Sequence, residues 1–230
     1  MSLQFVLGGS GSGKSTYVYD RIIERSMEED KLFFVLVPDQ FTMQTQMEFV
    51  NRHPRGGILN IDILSFSRLS YKINEETGGG KETVLDDTGK SLVLRKVAQE
   101  LKDEVPVLGS NLKKIGYIHE VKSAISEFMQ YGIDQKKMES MLEYSKNRGG
   151  LHGKLKDLGT LYQGFTNYIG EKYITTEETY ERLAANLDKS KIIKNSIIVM
   201  DGFTGFTPIQ LKVIRKLMMY ADELIMTVTM

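Results

Sequence analysis

Apolar residues along this chain fall into two rhythms. Over the first 77 residues, and again from residue 192 onward, short and nearly continuous apolar runs alternate with stretches whose apolar positions recur at helical spacing. Between them only the helical rhythm is present. Runs of the first kind suit strands buried on both faces of a parallel sheet. They are Phe5, Val6 and Leu7; residues 31–37, KLFFVLV; residues 58–64, rich in isoleucine; residues 196–200, with Ile197, Ile198, Val199 and Met200; and residues 223–230. Helices are predicted at 17–29, at 41–51 with Met43, Met47 and Val50 in register, and at 65–77 behind a capping Ser65. Another starts at Thr207-Pro208, a capping hydroxyl followed by proline at the first helical position, and runs to about residue 220.

Three strand and helix pairs joined by short loops imply right-handed crossovers and a doubly wound, parallel α/β sheet. After Gly78-Gly79-Gly80 the rhythm changes. Residues 78–191 read as an all-helical insertion, with helices at 87–103, 112–131, 135–146, 154–172 and 176–188 and no strand between 86 and 188. Gly132 stops the second of these, Gly149-Gly150 separates two sub-blocks, and Thr175 with Glu178 forms a capping box at the last. A structureless loop of about 110 residues would be odd inside a domain, whereas a helical subdomain is not. The expected organisation is a discontinuous α/β domain of residues 1–77 and 192–230, interrupted by the insertion at 78–191. No covering helix follows the last strand, so we expect either further domains beyond it or an ending on an edge strand.

The 30 basic and 30 acidic side chains cancel, so no global field favours a polyanion, and any nucleic-acid contact must use a local patch. With no cysteine, disulfides, thiolate zinc sites and iron–sulfur ligation are excluded from these residues. No apolar stretch reaches about 18 residues and no basic segment leads into one, so a soluble, cytoplasmic protein without a membrane partner is expected. His53, His119 and His152 are far apart with no helical pairing, which favours surface or interface roles over a metal site. Met129, Met138, Met141, Met218 and Met219 read as core filler. Lys113-Lys114 and Lys136-Lys137 read as solvated helix faces, with phosphate contact as the alternative.

The candidate chemistry lies in Gly8-Gly9-Ser10-Gly11-Ser12-Gly13-Lys14-Ser15-Thr16. This stretch fits G-x-x-x-x-G-K-[ST] and stands between a predicted strand and a predicted helix, the context of a P-loop. Glycines let backbone N–H groups approach phosphate oxygens, and the helix N-terminus adds donors and a favourable dipole. Lys14 is expected at the β and γ phosphates of ATP, and the Ser15 hydroxyl on Mg²⁺. A P-loop ATPase also needs an acidic residue at the end of another buried strand. Asp201, after four apolar residues, is the candidate second Mg²⁺ group. Many ATPases place a glutamate next to it to orient the attacking water, but this chain has Gly202 there, so Mg·ATP binding is expected in preference to efficient hydrolysis.

Four stretches, GGSGSGKST, LVPDQFTMQ, ILSFSRLSYKI and IIVMDGFTGFTPIQLKVIRKL, together resemble the N-terminal part of the AddB (RexB) family, subunits of bacterial AddAB helicase-nucleases. The likeness runs over essentially the whole chain, and VPDQ and DGFxxFTPxQ are its specific parts. It implies a P-loop NTPase of RecA-like fold, similar to the first motor domain of a superfamily 1 helicase. Val37 to Gln40 then fall near motif Ia and Ser65 to Leu69 near motif Ib, which line a single-strand channel in such helicases. Gln40, Phe66, Arg68 and Tyr71 are the DNA-contact candidates that follow, with aromatic stacking on bases and Arg68 on the backbone. Core packing is the other reading of Phe66. A superfamily 1 helicase reads Asp-Glu-x-Gln where this chain has Asp201-Gly202-Phe203-Thr204, so the resemblance implies a degenerate motor. It further implies an AddA-type helicase partner, double-strand-break end processing with recognition of the recombination signal Chi, and a nuclease domain with an iron–sulfur cluster outside these residues.

Two other readings stand beside this one. A small P-loop kinase of nucleotides or metabolites would need arginines at the transferred phosphoryl, for which Arg95 and Arg148 are the nominees, although neither lies in an arginine-rich lid and surface solvation is the favoured reading of both. A non-hydrolysing scaffold would carry the loop as a relic. DNA-stimulated ATP turnover separates the helicase-like module from the kinase, and failure to bind ATP favours the scaffold.

Overall fold

The computed structural model describes residues 2–79, 83–170 and 172–230, and the chain divides into two compact units, residues 1–80 with 180–230 and residues 81–179. The first unit begins with β1 (Ser2–Gly8), α1 (Lys14–Glu28), β2 (Leu32–Leu36), α2 (Thr42–Arg52), β3 (Ile61–Leu64) and α3 (Phe66–Thr77). The second holds β4 (Thr83–Leu85), α4 (Asp87–Glu100), α5 (Ile115–Gln130), α6 (Gln135–Ser145), α7 (Gly149–Ile169) and β5 (Tyr173–Thr175). The chain returns along α8 (Thr176–Asn186) to α9 (Lys191–Lys194), β6 (Ser196–Met200), α10 (Pro208–Tyr220) and β7 (Glu223–Thr229).

Every pairing in the five-stranded sheet is parallel, in the order β1-β7-β6-β2-β3. The unbroken apolar runs of β2 and β6 are buried on both faces, and the period of two divides their side chains between two cores. Phe33, Val35, Ile197 and Val199 pack with Ile22 of α1 and Phe49 of α2. Phe34, Leu36, Ile198 and Met200 face the other way, against Leu69 of α3 and Val213 and Leu217 of α10. Each such side chain contributes about 1.5–3 kcal/mol through burial. β7 lies inside the sheet, and β1 forms one edge, with Leu3, Phe5 and Leu7 exposed. Because the strands are parallel and in register, with Leu36 beside Met200 and Met200 beside Met226, their carboxyl ends fall on one side of the sheet. Ligand-binding loops of open α/β sheets gather at that side.

Several helices start or stop at the expected residues, for identifiable reasons. Ser65 accepts from the Arg68 N–H, and Thr207 forms a capping box with Gln210 ahead of Pro208. Thr175 and Glu178 bond reciprocally, at 2.7 and 3.2 Å. β3 is shorter than the predicted run 58–64: Leu59 is 99% exposed, and Asn60 instead donates to the Ser26 and Lys31 carbonyls. Gly78 closes α3 in the left-handed conformation, φ 74°, which glycine alone adopts without strain. Gly80 lies outside the described residues.

The expectation of an all-helical insertion is corrected. In the second unit, β4 and β5 pair in parallel, Thr83 beside Tyr173 through Leu85 beside Thr175. Three-residue strands carry too little periodicity to register in a sequence, and these two exist only because the fold brings together segments almost the whole insertion apart. Gly149-Gly150 stands at the expected junction, directly after the break that follows Ser145 of α6, but the two glycines open α7 rather than lying in the break. The helix propensity that two glycines lose, about 1 kcal/mol each, is offset by Leu161, Phe165 and Ile169 further along, all fully buried. The return to the first unit comes at Tyr180 rather than residue 192, because Leu183, Ala184 and Leu187 of the α8 segment belong to the core that holds Phe34 and Leu217. Within the second unit, Asp157 is buried and accepts the Val107 and Leu108 N–H groups at 2.8 Å each. Lys90 and Glu177 form a buried ion pair at 2.7 Å. Among the described residues no helix is long and apolar enough to cross a membrane.

Candidate nucleotide site

β1 delivers the chain to Gly8, and the next five residues form an exposed loop before α1 starts at Lys14. Gly11 and Gly13 hold φ values of 72° and 83°, so the loop's shape depends on residues free of a Cβ. At Gly8 the constraint is contact: a Cβ there would come within 2.5 Å of Ser12 Oγ. No side chain caps α1 and no acidic residue occupies its first turn, which leaves the first-turn N–H groups available to an anion. Lys14 folds back over the loop, its Nζ donating to the Gly8 and Gly9 carbonyls at 3.0 and 2.7 Å. Gly9, Ser10, Ser12 and Thr16 stand exposed around it.

Across the carboxyl end of the sheet, β6 ends at Asp201, which is 5% exposed. Ser15 Oγ donates to Asp201 Oδ1 at 3.1 Å, so the two residues singled out 186 positions apart in sequence touch. Two further hydroxyls complete the carboxylate's environment: Thr227 donates to Oδ1 at 2.5 Å and Tyr19 to Oδ2 at 2.6 Å. Burial, then the hydrogen bond and charge of Asp201, push the Tyr19 phenol far above the usual tyrosine range, so it remains a donor. Neither Tyr19 nor Thr227 stands in a motif that the sequence singles out. Their signals are present all the same: Tyr19 stands four residues after Ser15 and shares its face of α1, and Thr227 is a hydroxyl inside the otherwise apolar run LIMTV.

Two hard oxygen donors in contact, a hydroxyl and a carboxylate, fit Mg²⁺ shared with phosphate oxygens. Among the described residues no cluster of three or more His, Asp or Glu side chains would hold a metal by itself. The position after Asp201 has a backbone reason to be glycine: Gly202 holds φ 76°, where a glutamate would be strained.

Beside Asp201 a cleft of about 400 Å³ opens between the turn after β2 and the segment after β6, lined by Pro38, Gln40, Phe66, Tyr180, Phe203 and Gln210 among others. It brings together the VPDQ and DGFxxF stretches. Gln40 is exposed at its rim, in a single 3₁₀ turn, Asp39–Phe41. Phe66 is 3% exposed, its ring 5.6 Å from Phe203, 6.0 Å from Tyr180 and 6.5 Å from Phe206, an aromatic cluster that leaves little of its face for a base. Arg68 and Tyr71, three residues apart on α3, share an exposed face, and Tyr71 is 72% exposed. Among the described residues no ion pair holds Arg68.

Fold and site together define an α/β protein with a parallel five-stranded sheet, compatible with a RecA-like fold, whose glycine-rich loop and buried aspartate meet at the sheet's carboxyl end. The chain belongs to the AddB family: the model of its N-terminal region, described as ADDB, N-terminal, matches residues 5–230. Among curated relatives, an ATP-dependent helicase/deoxyribonuclease subunit from Lachnoclostridium phytofermentans is 48% identical over the whole chain, which covers 20% of that protein. Proteins with the same name from Clostridium kluyveri and Listeria monocytogenes are 36% and 32% identical, with the same coverage. The chain thus spans about one fifth of the length of these relatives.

Proposed function

We propose that these residues form the helicase-like ATP-binding module of a DNA double-strand-break repair helicase/exonuclease subunit, one that binds Mg·ATP and DNA with a degenerate motor. The observation that carries the reading is the 3.1 Å contact between Ser15 and Asp201 beside the glycine-rich loop. Gly8 to Thr16 would cradle the phosphates, Lys14 exchanging its bonds to the loop carbonyls for phosphate oxygens. Ser15 and Asp201 would hold Mg²⁺, whose charge offsets that of the phosphates when bound. The glycine at 202 supports binding over turnover, because no side chain there can orient water.

Gln40, Arg68 and Tyr71 are the proposed single-strand contacts, a polar rim, an exposed cation and an exposed ring, with Phe66 shaping the wall behind them. In the whole protein this module would work in the cytoplasm with an AddA-type helicase-nuclease subunit, in end processing and Chi recognition for homologous recombination. The nuclease domain and its iron–sulfur cluster would lie in the remaining length that the relatives carry. The name those relatives share, a subunit of an ATP-dependent helicase/deoxyribonuclease, supports a partner, DNA and ATP. The test is titration of a fluorescent ATP analogue into wild type and Lys14→Ala. Loss of a charge-assisted contact predicts about 10- to 100-fold weaker binding. Wild-type affinity in the variant refutes the phosphate-cradle assignment.

A further inference from the structure

We infer that Tyr19 is the positioning residue for the Asp201 carboxylate, holding it in the orientation in which it meets a divalent cation. The inference rests on the Mg·nucleotide reading above. Asp201 is buried, and among the described residues no ion pair compensates its charge; its partners are three hydroxyls. A buried carboxylate so placed is held by the geometry of its donors. Ser15 makes the longest of the three bonds, 3.1 Å, and its hydroxyl is also the group the loop assigns to the cation. When Ser15 turns to a metal, Thr227 and Tyr19 remain. Thr227 shares Oδ1 with Ser15, whereas Tyr19 alone holds Oδ2.

Tyr19 is suited to that task by its own immobility. It is 3% exposed, its ring lies 4.6 Å from that of Phe49 on α2, and its hydroxyl is 2.6 Å from the carboxylate. The ring fixes where the hydroxyl is, and the hydroxyl fixes how the carboxylate is rotated. Removing only the oxygen leaves Oδ2 without its donor inside the core, so that the carboxylate loses the restraint on its rotation while the packing on Phe49 persists.

The test compares wild type, Tyr19→Phe and Phe49→Leu by titrating a fluorescent ATP analogue in Mg²⁺ and in EDTA, with circular dichroism to confirm folding. The quantity read is the gain in affinity that Mg²⁺ confers. Tyr19→Phe should keep wild-type affinity in EDTA, since the loop is untouched, and lose about tenfold or more of the Mg²⁺ gain. Phe49→Leu, which keeps the Tyr19 hydroxyl and most of the apolar volume against its ring, should lose thermal stability and retain most of the gain. An equal Mg²⁺ gain in wild type and Tyr19→Phe overturns the inference while leaving nucleotide binding intact. So does a matching loss in Phe49→Leu, which would reduce Tyr19 to a packing residue. Absence of nucleotide binding by wild type in either buffer overturns the nucleotide reading and, with it, the role given to Tyr19.

Discussion

Phe66 separates two physical roles that the sequence left open, a platform for a DNA base and a piece of the core. Its ring is 3% exposed and meets three aromatic neighbours at 5.6, 6.0 and 6.5 Å, two of them in the segment after β6 and one at Tyr180. Truncating it to alanine removes about 3–5 kcal/mol of packing, as Phe→Ala changes in cores do. The upper part of that range is expected, because the lost edge-to-face contacts add about 0.5–1.5 kcal/mol per pair to area burial. Phe66→Ala should therefore lower the urea midpoint at unchanged m and reduce Tm by roughly 12–15 °C, since 1 kcal/mol shifts a domain of this size by about 3 °C. Phe66→Leu, which keeps most of the volume, should cost less than about 1.5 kcal/mol. The assay is urea unfolding followed by far-ultraviolet circular dichroism, with single-stranded DNA affinity measured on the same samples. A loss of stability below about 1 kcal/mol accompanied by a clear fall in DNA affinity would refute the core assignment.

The same physics gives three further expectations. Gly202→Ala should cost about 1–2 kcal/mol from its φ of 76°, because Pro38 at 3.6 Å and Phe41 at 3.8 Å leave ordinary room for a Cβ; a stabilised variant in thermal melts would contradict the left-handed backbone. Lys90→Met should destabilise the second unit by about 3–5 kcal/mol by stranding Glu177, and Lys90→Met/Glu177→Leu should recover most of it; a single variant as stable as wild type in urea unfolding would show that the pair is not buried in solution. Burial alone would raise the Glu76 pKa, but the Ser190 hydroxyl and the Lys191 and Ile192 N–H groups outweigh it and hold the carboxyl below the usual glutamate range. A depressed folded pKa gives stability that is present above about pH 4.3 and lost as pH falls through the folded value. Glu76→Gln should thus be less stable than wild type at neutral pH and converge with it in acid, and curves that stay parallel down to pH ~2 would exclude that linkage.

Much of the architecture was legible because its signals are local. Continuous apolar runs marked β2 and β6, hydroxyl caps marked the starts of α3, α8 and α10, and the glycine-rich loop with its lysine and serine stands in nine consecutive residues. Asp201 is legible by the same kind of signal, an acid directly after a buried run. What the chain could not announce was anything whose meaning depends on a distant partner. β4 and β5 are three residues each and are strands only through one another. Gly149 and Gly150 look like a break and are helix, because burial along the rest of α7 outweighs their propensity. Phe66 reads equally well as platform or core until Phe203, Phe206 and Tyr180 are placed around it.

Periodicity and caps act within a few residues, and they were enough to give the parallel α/β class, the loop, and the pair Ser15 and Asp201. Three-dimensional packing was needed to bring Tyr19 and Thr227 to the carboxylate, to make β1 an edge strand, and to return the α8 segment from Tyr180 to the first core. Those outcomes depend on burial and on contacts between residues as far apart as Ser2 and Glu223, and neither can be read from a window along the chain.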